Sequence, residues 1–361
     1  MRPALLRPSP AIVFSCGCLL AAGVAGAACS ASPAMFTTGT GGAGPAGSQS
    51  GAGGGTGGNP NFTTSGTGAG TTSSGGPSTF IAYTHTNKTL FKLDPNQANL
   101  GVTKIGDFDC IGGAGQDTSM TDVAVNQAGD VWGVSAKSAY HLVIQGTTVH
   151  CEKTIPLGSG SSTFYGLTFA PAGVIDAGET LIAGNTAGEL WQIDTTSGTL
   201  SQHGTFGTVP ADDGHGHTYK YHGKAWELSG DLVFLSNNNM PIGFATVRDC
   251  KSPPSSTSCN STDTLIEIDM AKLKAVGAQD VTLKVRGAIV KKAGCSDTVN
   301  TSYGGMYGIA AWNDKVYGFS NKGDIVEIDN TDGSACLLIG GMNHWDGAGV
   351  TTSAPVIKPP N

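Results

Sequence analysis

Short apolar runs, some alternating with polar residues and some continuous, recur from residue 80 to residue 355, each bounded by Gly, Asn, Asp or Ser. Runs this short, rich in Val, Ile, Leu, Phe and Tyr and flanked by turn residues, predict β-strands. One run repeats with a fixed ending: LFKLD at 90–94, LWQID at 190–194, LIEID at 265–269 and IVEID at 325–329. AYHLVI at 139–144 is a fifth copy without the Asp. Equal intervals separate Asp94, Ile144 and Asp194, and longer ones lead to Asp269 and Asp329, which places insertions there. Repeats at this pitch signify stacked or radially arranged units, none able to bury its faces alone.

Four strands fit in each unit. The innermost is read at 120–125, 165–171, 222–228 and 307–312, and the next at 80–86, 130–136, 179–185, 231–237 and 315–321. The second strand therefore occurs five times and the first only four. The missing copy is supplied by GVTTSAP at 349–355, which matches GLTFAP at 166–171. An all-β, five-bladed β-propeller closed by its C-terminal strand is the expected fold, because closure removes the free sheet edges that template aggregation. A two-sheet sandwich has similar strand spacing but needs neither a repeat nor a returning strand.

The N-terminus reads differently. Arg2 and Arg7 precede an apolar stretch from Ala11 to Val24, followed by Gly26, Ala27, Ala28 and Cys29. Such a stretch is too short for a comfortable membrane span and has the flanks of an export signal, here residues 1–28. The small residues before Cys29 resemble a bacterial lipoprotein box, which implies lipidation of Cys29 and attachment to a membrane, at the outer membrane or cell surface. Gly26 stands where the box usually has Leu, and ordinary cleavage after Ala27 or Ala28 is the competing reading. Residues 29–78 are rich in Gly, Ser, Thr and Ala and carry no charge, so they cannot offset the entropy of folding and are read as a flexible tether. Residues 79–357 form the folded domain and 358–361 a tail.

Cysteine usage agrees with export. Of nine Cys, Cys16 and Cys18 leave with the signal and Cys29 takes lipid, which leaves Cys110, Cys151, Cys250, Cys259, Cys295 and Cys336. The same number of residues separates Cys110 from Cys151 as Cys295 from Cys336, so three disulfides are expected in an oxidising compartment. The formal net charge is −7, without a basic run, which disfavours nucleic acid and anionic membrane surfaces as partners. A monomer is the expected state.

The turns Ile193-Asp194-Thr195-Thr196-Ser197-Gly198 and Ile328-Asp329-Asn330-Thr331-Asp332-Gly333 resemble those of bacterial extracellular β-propellers of the YVTN and quinoprotein-like class. The resemblance implies a blade and no particular activity. The vicinal Cys pair usual in quinoprotein dehydrogenases is absent, and no cofactor is expected.

Candidate chemistry gathers where innermost strands begin. Asp122 aligns with Gly166, Gly223, Gly308 and Gly349, and Tyr165, His222 and Tyr307 precede three of these. With Trp345 and Asp346 beside the closing strand, these side chains suit a polar ligand such as a sugar. The alternative for Asp122 is that it satisfies backbone N–H groups at a strand end. Asp213, His215 and His217 could clamp a divalent metal or simply form a solvated loop. Asp122, Glu227 and Asp346 are the only acids that would serve a glycan hydrolase, which needs two carboxylates spaced across a site. A ligand-binding or protein-interaction module, its partner an unidentified protein or carbohydrate, is the expected function, with a hydrolase second and an envelope scaffold third.

Overall fold

The computed structural model describes residues 80–356 except 95, 98–99, 159–161, 238–239, 255–257 and 298–299. The export signal, Cys29, the tether and the tail at 358–361 lie outside the described residues. All described residues belong to one compact unit, Ser73–Asn361.

The domain is all-β and propeller-like. Strands β1 (Ala82–His85), β2 (Thr89–Leu93) and β3 (Thr103–Phe108) open the chain, followed by β4 (Met120–Val125), β5 (Val131–Ser135), β6 (Ser138–Gln145) and β7 (Thr148–Pro156). A second group comprises β8 (Phe164–Ala170), β9 (Thr180–Asn185), β10 (Glu189–Ile193) and β11 (Leu200–Thr205). Next come β12 (Trp226–Leu235), β13 (Ile242–Asp249), β14 (Thr264–Ile268) and β15 (Thr282–Ala288). The last are β16 (Met306–Trp312), β17 (Lys315–Ser320), β18 (Ile325–Ile328), β19 (Ala335–Ile339) and β20 (Gly347–Val350).

The groups β8–β11, β12–β15 and β16–β19 are separate four-stranded antiparallel sheets. The remaining eight strands form one sheet in the order β20-β1-β2-β3-β7-β6-β5-β4. Its middle is held only by two parallel pairs, Asp107 with Thr148 and Phe108 with Val149, so it is two four-stranded units joined at their outer strands. The C-terminal strand β20 pairs with β1, Gly347 opposite His85 and Val350 opposite Ala82. The first strands touch in sequence, β4 to β8, β8 to β12, β12 to β16 and β16 to β20, and β20 returns to β4.

Burial follows from that arrangement. A first strand has sheets on both sides, so β12 is buried at every position and β4 and β8 at all but their second, whereas the outer strands β3 and β15 are largely open to solvent. Continuous apolar runs are the sequence trace of strands covered on both faces. Large side chains fill the spaces between neighbouring sheets, with Trp226, Phe206 and Phe234 in one cluster and Trp312, Phe319 and Trp345 in another.

Three disulfides form with the expected partners: Cys110–Cys151 and Cys295–Cys336, each 41 residues apart, and Cys250–Cys259, 9 apart. The first lies beside the β3–β7 joint, and the third beside a parallel bridge between Lys291 and Ala335. Each 41-residue staple therefore ties the outer edge of one four-stranded unit to the next.

The fourth unit departs from the sequence reading. The segments read as separate strands at 222–228 and 231–237 are one innermost strand, β12, and the second strand is β13. Ser229-Gly230-Asp231 looks like a hairpin turn but is a register jump in β12, between Leu228 and Leu232. Gly230 is needed for space, since a Cβ there would lie 2.2 Å from the Met306 carbonyl oxygen of the adjacent first strand. The closing strand, expected at 349–355, is Gly347–Val350, with Ala348 opposite Thr84.

Candidate functional site

Three of the five first strands carry a bulge near their start, where the register jumps from Met120 to Asp122, from Phe164 to Gly166 and from Met306 to Gly308. The skipped residues, Thr121, Tyr165 and Tyr307, are half-buried and left out of the ladder. A bulge re-aims its side chain, so these strands present equivalent residues at one end of the ring. The Thr121 hydroxyl lies 3.0 Å from the Phe164 carbonyl, tying two neighbouring strand starts together.

At the same end, Tyr307, His344 and Asp346 come together. The Tyr307 and His344 rings meet edge to face with centroids 6.3 Å apart, and His344 Nε2 lies 3.3 Å from Asp346 Oδ1. The Asp346 N–H donates to the His85 carbonyl at 2.9 Å, which fixes the segment entering β20. Burial raises the Asp346 carboxyl above its ordinary value, opposed by the His344 charge. An apolar ring face, an imidazole and a carboxylate in one place can hold a polar ligand by stacking and hydrogen bonds. Tyr165 holds the bulge position on β8 and packs partly against the cluster containing Leu228 and Leu232.

Asp122 lies deeper and is fully buried. Its Oδ2 accepts from the Leu167 N–H at 2.5 Å and its Oδ1 from the Ala348 N–H at 3.2 Å, so one carboxyl on β4 ties together β8 and the closing strand β20. First strands have no ladder partner on their inner side, and these N–H groups would otherwise be orphaned. Asp231 does the same on β12, accepting from Ile309 N–H at 2.7 Å and from its own neighbour Leu232 N–H at 2.5 Å. Asp263 Oδ2 takes the Met306 N–H at 2.7 Å. Burial, then the Asp231 carboxyl beside it, pushes Asp122 well above the ordinary carboxylate range, and burial raises Asp231 as well. Each of these buried carboxyls acts on the other, and the Asp231 charge disfavours ionisation of Asp122.

His85 completes this inner group. It is fully buried on β1, with Nδ1 2.9 Å from the Thr86 carbonyl oxygen and Nε2 3.9 Å from Asp122 Oδ1. Nε2 has no hydrogen-bond partner. Burial pulls the imidazole down to about 4, so it is neutral at neutral pH. Neither His85 nor Asp231 is prominent in the sequence. Asp231 is concealed by the apparent turn at Gly230, while His85 had a signal, since it ends a second strand where the corresponding residues are Ser135, Asn185 and Ser320.

The other sequence candidates lie elsewhere. His222 is exposed in a turn before β12 and takes no part in the ring of strand starts. Trp345 is fully buried edge-on to Phe91 and Phe319, with centroids 5.4 and 6.4 Å away, so it is core and offers no platform. Glu227 is buried with Arg248 Nη2 3.5 Å away. Asp213 accepts from the His215 and His217 N–H groups through Oδ1, at 2.8 and 3.0 Å, and from Ala288 N–H through Oδ2 at 3.1 Å. Although burial opposes it, these donors hold Asp213 below the ordinary carboxylate value. The carboxylate thus organises the loop backbone, and the His217 ring packs on Tyr219 at 5.1 Å. Among the described residues, two sets of three ligand-type side chains approach within 4.8 Å, Asp109 with Cys110 and Cys151, and Glu227 with Cys250 and Cys259, and disulfides occupy their sulfurs.

No family model matches the chain, and no curated protein matches it. Among solved structures, it is similar to a protein of unknown function from Bacteroides caccae, at 10% identity and TM-score 0.32, over 75% of this chain and 98% of that one. It is also similar to the C-terminal domain of PilY1 from Pseudomonas aeruginosa, at 12% identity and TM-score 0.31, over 69% of this chain and 65% of that one.

Proposed function

We propose that the chain is a lipid-anchored, five-bladed β-propeller of the YVTN-like class, displayed at the cell envelope. In this reading it acts as a binding or protein-interaction module whose site lies at the strand-start end of the ring. The observation that carries the binding role is the convergence of Tyr307, His344 and Asp346 beside the entry to the closing strand. Deeper carboxyls are engaged in structure: Asp122 and Asp231 take backbone N–H groups of neighbouring strands, and Glu227 pairs with Arg248. That leaves a rim suited to holding a polar ligand and favours binding over glycan hydrolysis. The cycle of first-strand contacts, with β20 paired to β1, supports five blades in a closed ring.

The compartment rests on independent observations. Three disulfides fit a non-cytoplasmic, oxidising environment. No helix among the described residues is long and apolar enough to cross a membrane, and the proposal assigns attachment to lipid on Cys29. The test uses the full chain purified from membranes and titrated with a panel of neutral and acidic oligosaccharides and with envelope protein domains. Saturable binding weakened at least tenfold by Tyr307→Ala and by Asp346→Asn is expected. Glycan cleavage abolished by Asp346→Asn would instead favour the hydrolase. In the same preparation Cys29→Ala should move the protein to the soluble fraction, and continued sedimentation with washed membranes would remove the anchor from the account.

A further inference from the structure

We propose that a cleft between the third and fourth units binds an anionic amphiphile, an aliphatic chain ending in a carboxylate, independently of the rim residues. The cleft lies where first strands finish, away from the strand starts that carry Tyr307 and Asp346. Its walls are residues 171–174 after β8, residues 236–242 between β12 and β13, the end of β14 with the turn that follows, and Leu283 on β15. Its volume is about 760 Å³, and small-molecule sites span about 300 to 1,000 Å³.

The lining fits an aliphatic chain. Val174, Ile268 and Met270 are buried and line the interior, while Met240 and Leu283 are 61% and 58% exposed. Among the described residues six large apolar side chains are exposed; two of them line this cleft, and a third, Val276, stands two residues beyond the lining residue Lys274. Exposed apolar groups gathered around a cleft mark a binding surface, whereas single scattered ones do not. Met240 and Met270 add unbranched, polarizable side chains that adapt to a flexible occupant. No aromatic ring lines the cleft among the described residues, so it has no stacking face for a sugar or a planar ligand.

Charge decides the head group. Three charged side chains line the cleft, Glu267, Asp269 and Lys274. Glu267 is engaged by Arg286, and Asp269 has Lys272 Nζ 3.7 Å from its Oδ2 and takes the Ala271 N–H through Oδ1 at 3.2 Å. Both carboxylates are therefore already offset by cations of the fourth unit. Lys274, at the end of the short 3-10 turn Lys272–Lys274, has no carboxylate partner among the described residues. The charge left uncompensated at the cleft is positive, and it complements a carboxylate at the end of a chain held by Met240, Met270 and Leu283.

The test uses the full chain carrying Cys29→Ala, handled without detergent and titrated by calorimetry with decanoate, decanol and decyltrimethylammonium, each below its micelle concentration. Decanoate should bind saturably at one site, about fivefold tighter than decanol, the size of one screened ion pair, with the cationic amphiphile weakest. Lys274→Gln should abolish the preference for the acid and leave decanol binding unchanged. Leu283→Glu should weaken both decanoate and decanol at least about tenfold, by placing a charge in the apolar wall. Lys274 and Leu283 are exposed, so both variants should melt as the parent does. Leu338→Glu, at an exposed apolar position on the fifth unit, and Tyr307→Ala, at the rim, should bind decanoate as the parent does. The proposal is overturned if decanoate shows no saturable site, if Lys274→Gln keeps the preference for the acid, or if Leu338→Glu or Tyr307→Ala weakens binding as much as Leu283→Glu.

Discussion

Asp231 shows how a single buried carboxyl can act as a bolt between strands. Its two oxygens take the N–H groups of Ile309 and Leu232, and leaving a buried donor unpaired costs about 1 to 3 kcal/mol. Asp231→Ala should therefore lower stability by about 2 to 5 kcal/mol in urea unfolding. Asp231→Asn should cost less, because the amide keeps one acceptor and removes a carboxyl from beside Asp122. Equal losses from both variants would mean that backbone capping is not what the side chain does. Asp122 was recognisable in the sequence as an acid among aligned glycines, and its carboxyl accepts the backbone N–H groups of Leu167 and Ala348. Asp231 was not recognisable, because a Gly-Asp pair between apolar runs has the composition of a turn, and only packing against Met306 distinguishes it.

Among the elements, the outer strands are where neighbouring units are tied together. Lys292, beside the Lys291–Ala335 bridge, lies 2.8 Å from Asp329 at the end of β18. Burial works against the charged Asp329, but Lys292 and Thr331 outweigh it and hold the carboxyl at about 2. Because the folded value lies below the ordinary one, the ionised pair contributes stability above the ordinary carboxylate pKa, and this is lost as pH falls through about 2. Urea midpoints at pH 6 should show Lys292→Met slightly less stable than the parent, the difference being small because the pair is solvent-screened, and the two should converge near pH 2. A gap that persists unchanged at pH 2 would assign the effect to packing of the lysine stem. The equal Cys spacings were readable because equivalent joints recur in equivalent units. The fourth unit was misread because its alternation fits a first strand as well as a second, and burial on both faces removes the polar positions that separate the two.

At the level of the whole molecule, pairing of β20 with β1 makes the first and last described strands interdependent. The match of residues 349–355 to 166–171 marked the returning strand, and β20 occupies that role with a start two residues earlier. The proposed rim site was only partly legible: Tyr307 and Asp346 were visible as strand-start residues, whereas His344 entered through a loop whose path depends on Asp346 being fixed to His85. The proposed rim site depends on β20, since Asp346 leads directly into it. The most direct test is thermal unfolding of the chain ended after Met342, compared with the full chain under the same conditions. Closure by β20 predicts a melting temperature lower by at least about 10 °C, or aggregation through the exposed edge of β1. Equal melting temperatures would contradict a ring closed at that strand, and with it the five-bladed account.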